Sequence, residues 1–275
     1  MSLYHGVNLV TRIVDSSKRY QGTISNFHID LQLPLHSSEF NKIAVIGISI
    51  PKSFYDIDDD ITGLTLTENT TTINVNIPAG FYNSTTLKNA LSLALTTNSP
   101  NNFTYTVTYS SVTNKFTFTC SDTVTPLELG FPEFPGSLYQ QCGFLINDVV
   151  SFTAGVLTST HSIAIPKINR LFIKSDACNT SIDQILQEVY VTGIYPSLSY
   201  IFWESPNLDL YSKDFTLSTN NTYNFQIVDK NGQEVEFNNQ EVIFSICLYK
   251  KDNTNEAVLQ NLRIDNEEKL LKMSQ

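Results

Sequence analysis

Apolar and polar residues exchange places step by step through much of this 275-residue chain. In GTISNFHIDLQLPL, Phe27, Ile29, Leu31 and Leu33 alternate with His28, Asp30 and Gln32, the period of two expected of a strand with one face buried and one wet. Ile73, Val75 and Ile77 alternate with Asn74 and Asn76 and stop at Pro78-Ala79-Gly80. In FTYTVTYSSVTNKFTFTC, Phe103, Tyr105, Val107 and Tyr109 oppose Phe116, Phe118 and Cys120, each set interleaved with Thr, which predicts a hairpin. Ile43 to Ile50 is apolar almost throughout, predicting a strand buried on both faces and ended by Pro51. Further strands are predicted over 168–174, 186–194, 198–203, 223–228, 234–237 and 242–249. The fourth and fifth of these flank Asp229-Lys230-Asn231-Gly232, where Asn231 and Gly232 suit the positive φ angles of a hairpin turn.

Only one stretch reads as a good helix. After Asn83-Ser84, either of which can cap free N–H groups, Leu87, Leu91 and Leu95 recur every four residues beside Ala90 and Ala94, a stripe that can lie on a sheet. Strands at regular spacing with Gly, Pro and Asn breaks indicate a sandwich or barrel rather than alternating βαβ units. The strand, helix and hairpin from about 64 to 131 form a module of different character. The reading is an interrupted sandwich: 21–60 with 166–251 as the sandwich, 61–165 as an inserted, mostly β domain, and two ends, an arm over 1–20 and a tail over 252–275.

Composition limits the function. The formal net charge is -10 with charged residues at only 16%, and Asn, Ser and Thr make up about 30% of the chain, a β-rich balance with polar but largely uncharged faces. With 17 Phe and 13 Tyr the chain is not disordered. The acidic balance gives no overall basic field for nucleic acid. No stretch matches a membrane span, and MSLYHGVNLVTRIVDSSKRY lacks a charged region followed by an apolar one, so a reducing compartment is expected. There Cys120, Cys142, Cys178 and Cys247, widely spaced and without a CxxC pair, read as buried thiols.

No constellation nominates an enzyme or a cofactor. GxSxG, P-loop and GxGxxG patterns are absent, and His5, His28, His36 and His161 are scattered. Asp56, Asp58 and Asp60 in YDIDDDITG are a weak ion-site candidate, since a Ca²⁺ loop also needs a closing Glu and a correctly placed Gly; a solvated acidic turn is the competing reading. Arg12, Lys18 and Arg19 give the first 20 residues a local positive charge. They fall short of a nucleic-acid tail and are read as an intersubunit strap or a fraying terminus. Trp203, the only tryptophan, is a candidate interface anchor, with core packing as the alternative. The tail carries Leu259, Leu262, Leu270 and Leu271 among mixed charges, a weak amphipathic pattern.

The order of these patterns resembles a known family. AVIGISIPKSFYDI, then INVNIPAGFYNSTTLKNALSLAL, then FTYTVTYSSVTNKFTFT running to LGF, and finally NFQIVDKNGQEVEF with EVIFSICLYK resemble the penton proteins, or single jelly-roll minor capsid proteins, of virophages, polinton (Maverick) elements and polinton-like viruses. The resemblance spans roughly residues 22 to 250. It implies a single jelly-roll sandwich interrupted by an insertion and assembled as a homopentamer at the five-fold vertices of an icosahedral virion. The roll would stand at shell level, the insertion would project outward, and a double jelly-roll major capsid protein would surround it. Between Ile61 and Ile165 there are only Lys88 and Lys115 against five acidic residues. Such a surface suits packing against copies of itself or contact with a host receptor. A carbohydrate- or receptor-binding sandwich of the fibre-head or lectin kind is the alternative.

Overall fold

The computed structural model describes residues 9–34, 40–58, 63–133, 136–178, 184–191 and 196–251. The chain forms two compact units, one from Met1–Ser53 with Arg170–Gln275 and one from Phe54–Asn169. It begins the first unit with β1 (Leu9–Asp15), β2 (Gln21–Gly22), β3 (Asn26–Asp30) and β4 (Lys42–Pro51). It then builds the second from β5 (Gly63–Glu68), β6 (Thr71–Asn76), α1 (Ser84–Asn98), β7 (Tyr105–Ser110), β8 (Lys115–Cys120), β9 (Leu127–Gly130), α2 (Tyr139–Cys142), β10 (Val149–Ser151) and β11 (Val156–Thr158). It returns through β12 (Arg170–Ser175), β13 (Ile185–Tyr190), β14 (Tyr200–Glu204), α3 (Leu208–Tyr211), β15 (Lys213–Asp214), β16 (Thr222–Val228) and β17 (Ile243–Tyr249).

The first unit is a sandwich of two antiparallel sheets, β1-β17-β4-β14 with β15 also on β4, and β13-β12-β16-β3-β2. The pairs β1·β17, β3·β16, β4·β14 and β12·β13 join strands counted inward from the two ends of the unit. The strands thus form one long hairpin rolled on itself, the single jelly roll, and the excursion into the second unit leaves between β4 and β12. Alternation is what buries the core: Phe27 and Ile29 of β3, Phe225 and Ile227 of β16 and Phe244 of β17 all point inward. Phe225 meets Phe27 at 6.1 Å and reaches across to Phe244 of the opposite sheet at 5.4 Å, edge-on.

Several expectations about the strands of the sandwich change. The first 20 residues are not wholly an arm: Leu9–Asp15 pairs with β17 through seven register positions, and only 1–8 of that segment lie outside the described residues. β4 is covered on both faces over Ile43–Val45 and again at Ile50–Pro51; between them, past a register shift at its β17 partner Ser245/Ile246, Ile48 is buried while Ile46, Gly47 and Ser49 are partly exposed. Residues 234–237 make one bridge, Val228 to Glu234, instead of a strand. The reason is competition for their carbonyls, since the Ser25 hydroxyl donates to Val235 O and the Ser53 hydroxyl to Phe237 O. In the turn before them only Gly232 takes a positive φ, +80°.

The second unit has the expected hairpin, β7 on β8 from Tyr105↔Cys120 to Ser110↔Lys115. β11 extends this sheet to β11-β8-β7, and a second sheet runs β10-β9-β5-β6. The Asn83 side chain accepts from the Thr85 and Thr86 N–H groups and the Thr86 hydroxyl accepts from the Asn83 N–H, a capping box that starts α1. Leu87, Leu91 and Leu95 are fully buried among Leu64, Leu66, Val75, Tyr105, Val107, Phe116 and Phe118. Truncating any one of the three would cost about 2–5 kcal/mol. A single-turn α2 makes this unit richer in helix than expected, and α3 adds a third helix in the sandwich. The predicted tail, 252–275, lies outside the described residues.

Candidate assembly surfaces

The candidate residues at the N-terminus serve the sandwich itself. Arg12 donates from Nε to Leu31 O at 2.8 Å and from Nη2 to Gln32 O at 3.0 Å, tying β1 to the chain beyond β3. Arg19 pairs with Glu241 at 3.0 Å and donates to Ser16 O at 2.6 Å. These two side chains are therefore internal ties, whereas Lys18 is exposed. Of the acidic cluster, Asp56 is buried and accepts the Tyr82 N–H at 3.0 Å, Asp58 pairs with Lys167, and Asp60 lies outside the described residues. Among the described residues no group of His, Cys, Asp and Glu is arranged to hold a metal ion.

Apolar residues on the outward face of the β1-β17-β4-β14 sheet form a surface that alternation alone did not single out. Strand register puts Ile243 opposite Ser49 and Ser49 opposite Phe202, with Tyr200 two residues along β14 and Ile13 two residues along β1 from the partner of Ile243. Ile13 is 61% exposed, Phe202 63%, Tyr200 48% and Ile243 42%. The other end of this face is covered, with Ala44, Cys247 and Tyr249 buried and the Tyr249 hydroxyl donating to Asp209 of α3 at 2.8 Å. The outward face of the opposite sheet is mixed, carrying Lys174, Gln226, Asn26, Asn224 and His28 together with Phe172 and Tyr190. One cue was available: VIFSICLY has too few polar residues for a strand with a wet face.

Trp203 lies on the edge strand β14, half-buried, its ring edge-on to Tyr211 at 5.5 Å. Both rings line a cleft of about 390 Å³ between β13 and the β14–α3 segment, with Ile185, Glu188, Tyr190 and Leu210. On its rim Arg170 donates to Glu188 at 2.9 Å and stands 5.0 Å over the Tyr190 ring. The indole thus packs on Tyr211 while it lines the cleft.

In the second unit the outward face of β11-β8-β7 presents Thr108, Thr117 and Thr158 in one row and Thr106, Thr119 and Val156 in the next. Thr117 and Thr158 share a hydrogen bond of 3.0 Å. All four cysteines are free and buried, and burial pushes the Cys247 thiol up to about 11 and the Cys142 thiol higher still. No helix among the described residues is long and apolar enough to cross a membrane.

No family model matches the sequence, and no curated protein matches it. Among solved structures, the chain is similar to the crystal structure of the selenomethionine-labelled mavirus penton protein, with a TM-score of 0.53 over 90% of this chain and 99% of that one. The fold is penton-like. The first unit alone is less than two thirds of the chain, so a likeness of this extent includes most of the second unit as well. At 10% identity it carries over architecture and none of the surface chemistry.

Proposed function

We propose that this protein is a structural minor capsid protein, a penton that forms homopentamers at the five-fold vertices of an icosahedral virion. The observation that carries the reading is the extent of the likeness, which takes in almost the whole of the mavirus penton chain and both units of this one. The jelly roll stands at shell level beside a double jelly-roll major capsid protein. The second unit projects outward as an insertion between β4 and β12, where its uncharged Thr rows meet neighbouring copies or a host receptor. The role is one of shape and self-association, with no enzymatic step.

The apolar outward face of the sandwich supports this reading, because Ile13, Ile243, Tyr200 and Phe202 together make a patch of the kind that marks an interaction surface. Light scattering on the purified protein, alone and co-expressed with its major capsid protein, tests it. The expected particle has five times the 30.9 kDa chain mass and five-fold symmetry in electron micrographs. A single-chain mass at every concentration, together with co-expressed shells whose vertices lack the protein, overturns it.

A further inference from the structure

Strand register gives the cleft beside Trp203 an unusual lining. Gln187 of β13 stands opposite Ile173, Trp203 of β14 opposite Ile48, and Lys213 of β15 opposite Ile43. All three isoleucines are buried in the sandwich, and residues paired across a ladder share a face. Inward positions thus carry an amide, an indole and an ammonium where the core pattern calls for aliphatic side chains. β13 ends one sheet, β14 and β15 pair at the margin of the other, and the cleft of about 390 Å³ opens between them. Gln187 is 6% exposed and donates from Nε2 to Glu188 O at 2.6 Å, which leaves its Oε1 as an acceptor. The Trp203 indole N–H, the Tyr211 hydroxyl and the Lys213 ammonium have no hydrogen-bond or ion-pair partner among the described residues, although indole and phenol groups ordinarily find one as they leave water. Glu188 is met by Arg170 at 2.9 Å, so the unmatched charge of the cleft is positive.

We infer that this cleft binds a saccharide bearing a carboxylate. A pyranose ring has an apolar C–H face and a rim of hydroxyls that both donate and accept, so it needs aromatic surface and mixed polar groups side by side, as Trp203, Tyr211, Gln187 and Lys213 provide. The carboxylate accepts from the Lys213 ammonium, while ring hydroxyls donate to Gln187 Oε1 and accept from the indole N–H and the Tyr211 hydroxyl. Other ligand classes fit less well. Trp203 and Tyr211 meet at 80°, a corner and not the parallel slot that holds a flat base. A cationic ligand meets Lys213 and the Arg170 guanidinium over Tyr190, and a wholly apolar one strands the Gln187 amide. The volume falls at the small end of the range of about 300–1,000 Å³ for ligand sites. The inference rests on the sandwich unit and does not depend on the vertex role.

Trp203 is the only tryptophan, so its emission reports occupancy of the cleft directly. The purified chain is titrated with sialyllactose, with a hyaluronan tetrasaccharide and with lactose as the uncharged control. A saturable change in emission is expected with one or both acidic sugars, and lactose should bind at least about tenfold more weakly, the value of a hydrogen bond to a charged group. Lys213→Gln is expected to abolish that preference while leaving the weak binding of lactose in place. Gln187→Leu should weaken every sugar about fivefold; if circular dichroism shows that it does not fold, Lys213→Gln, at a half-buried position, decides alone. Whichever acidic sugar binds assigns the carboxylate to a sialic or a uronic acid. Absence of saturable binding, equal affinity for lactose, or a preference that survives Lys213→Gln overturns the inference. Particle mass, measured in parallel, bears on the vertex role alone.

Discussion

Glu68 is the one fully buried carboxyl among the described residues, and its removal gives the sharpest test of how the second unit is held together. It closes β5 and is the acceptor for three donors: the Ser99 hydroxyl at 2.6 Å, the Tyr105 hydroxyl at 2.8 Å and the Asn101 N–H at 2.8 Å. These contacts tie the first sheet of the unit to the loop after α1 and to the start of β7. Burial first, then the bond to Glu68, holds the Tyr105 phenol well above its ordinary range. In Glu68→Ala the Ser99 and Tyr105 hydroxyls are left buried without that acceptor, while the Asn101 N–H sits at an exposed residue that water reaches. Two such donors at roughly 1–3 kcal/mol each give a loss of about 3 kcal/mol. Glu68→Gln keeps the volume and an oxygen for both hydroxyls and opposes only Asn101 with an amide N–H, so it costs about 1 kcal/mol.

Native-state hydrogen exchange separates the two units, which a global unfolding curve does not. In Glu68→Ala, amides of β5, β7 and β8 should exchange about 100-fold faster, the equivalent of about 3 kcal/mol, and those of β17 should be unchanged. Equal effects of the Ala and Gln variants, or a loss below about 1 kcal/mol for Ala, would refute the claim that unmet donors dominate.

Three further outcomes follow from the packing. Deleting residues 1–20 removes the seven-position β1·β17 ladder and uncovers an edge of β17, so the truncated protein should be insoluble or unfolded by circular dichroism. Leu91→Asp places a carboxyl in the buried contact of α1 with its sheet and should cost about 3–5 kcal/mol, seen as protease cleavage confined to the second unit. Because burial raises the Cys247 thiol to about 11 and Cys142 further, little thiolate forms at pH 8. A disulfide reagent should therefore leave Cys142 and Cys247 unlabelled until the protein is denatured.

What the sequence reveals is local. Phe27 and Ile29, or Tyr105 and Val107, declare a buried face because their neighbours are polar. β1 conceals itself because Val10 and Val14 point in while Leu9 and Ile13 point out, and apolar residues on both faces erase the period of two. Residues 234–237 do alternate, and Val235 and Phe237 are buried as alternation predicts. Their carbonyls nevertheless go to serine hydroxyls supplied from far along the chain. The partners of the acidic cluster are hidden in the same way, since Asp58 pairs with Lys167 and Asp56 accepts the Tyr82 N–H. Asp58 and Lys167 are 109 positions apart, a distance no motif spans.

The unequal outward faces of the sandwich restrict how copies can meet. A two-fold contact through the apolar face would bury Ile13, Ile243, Tyr200 and Phe202 against themselves and stop at a dimer, because an isologous contact closes on itself. A ring requires that face to meet a different surface of the next copy, in a heterologous contact repeated until the rotation closes. Phe202→Asp and Ile243→Asp distinguish the two arrangements when each variant is mixed with unaltered chains. In a ring, an altered chain still offers its other, intact surface to an unaltered neighbour, so incomplete, open assemblies should accumulate at intermediate ratios. In a two-fold pair, every mixed contact carries one altered face, and single chains should accumulate instead. The mass distribution across mixing ratios decides between them. A distribution with neither open assemblies nor accumulated single chains would mean that copies meet elsewhere on the molecule.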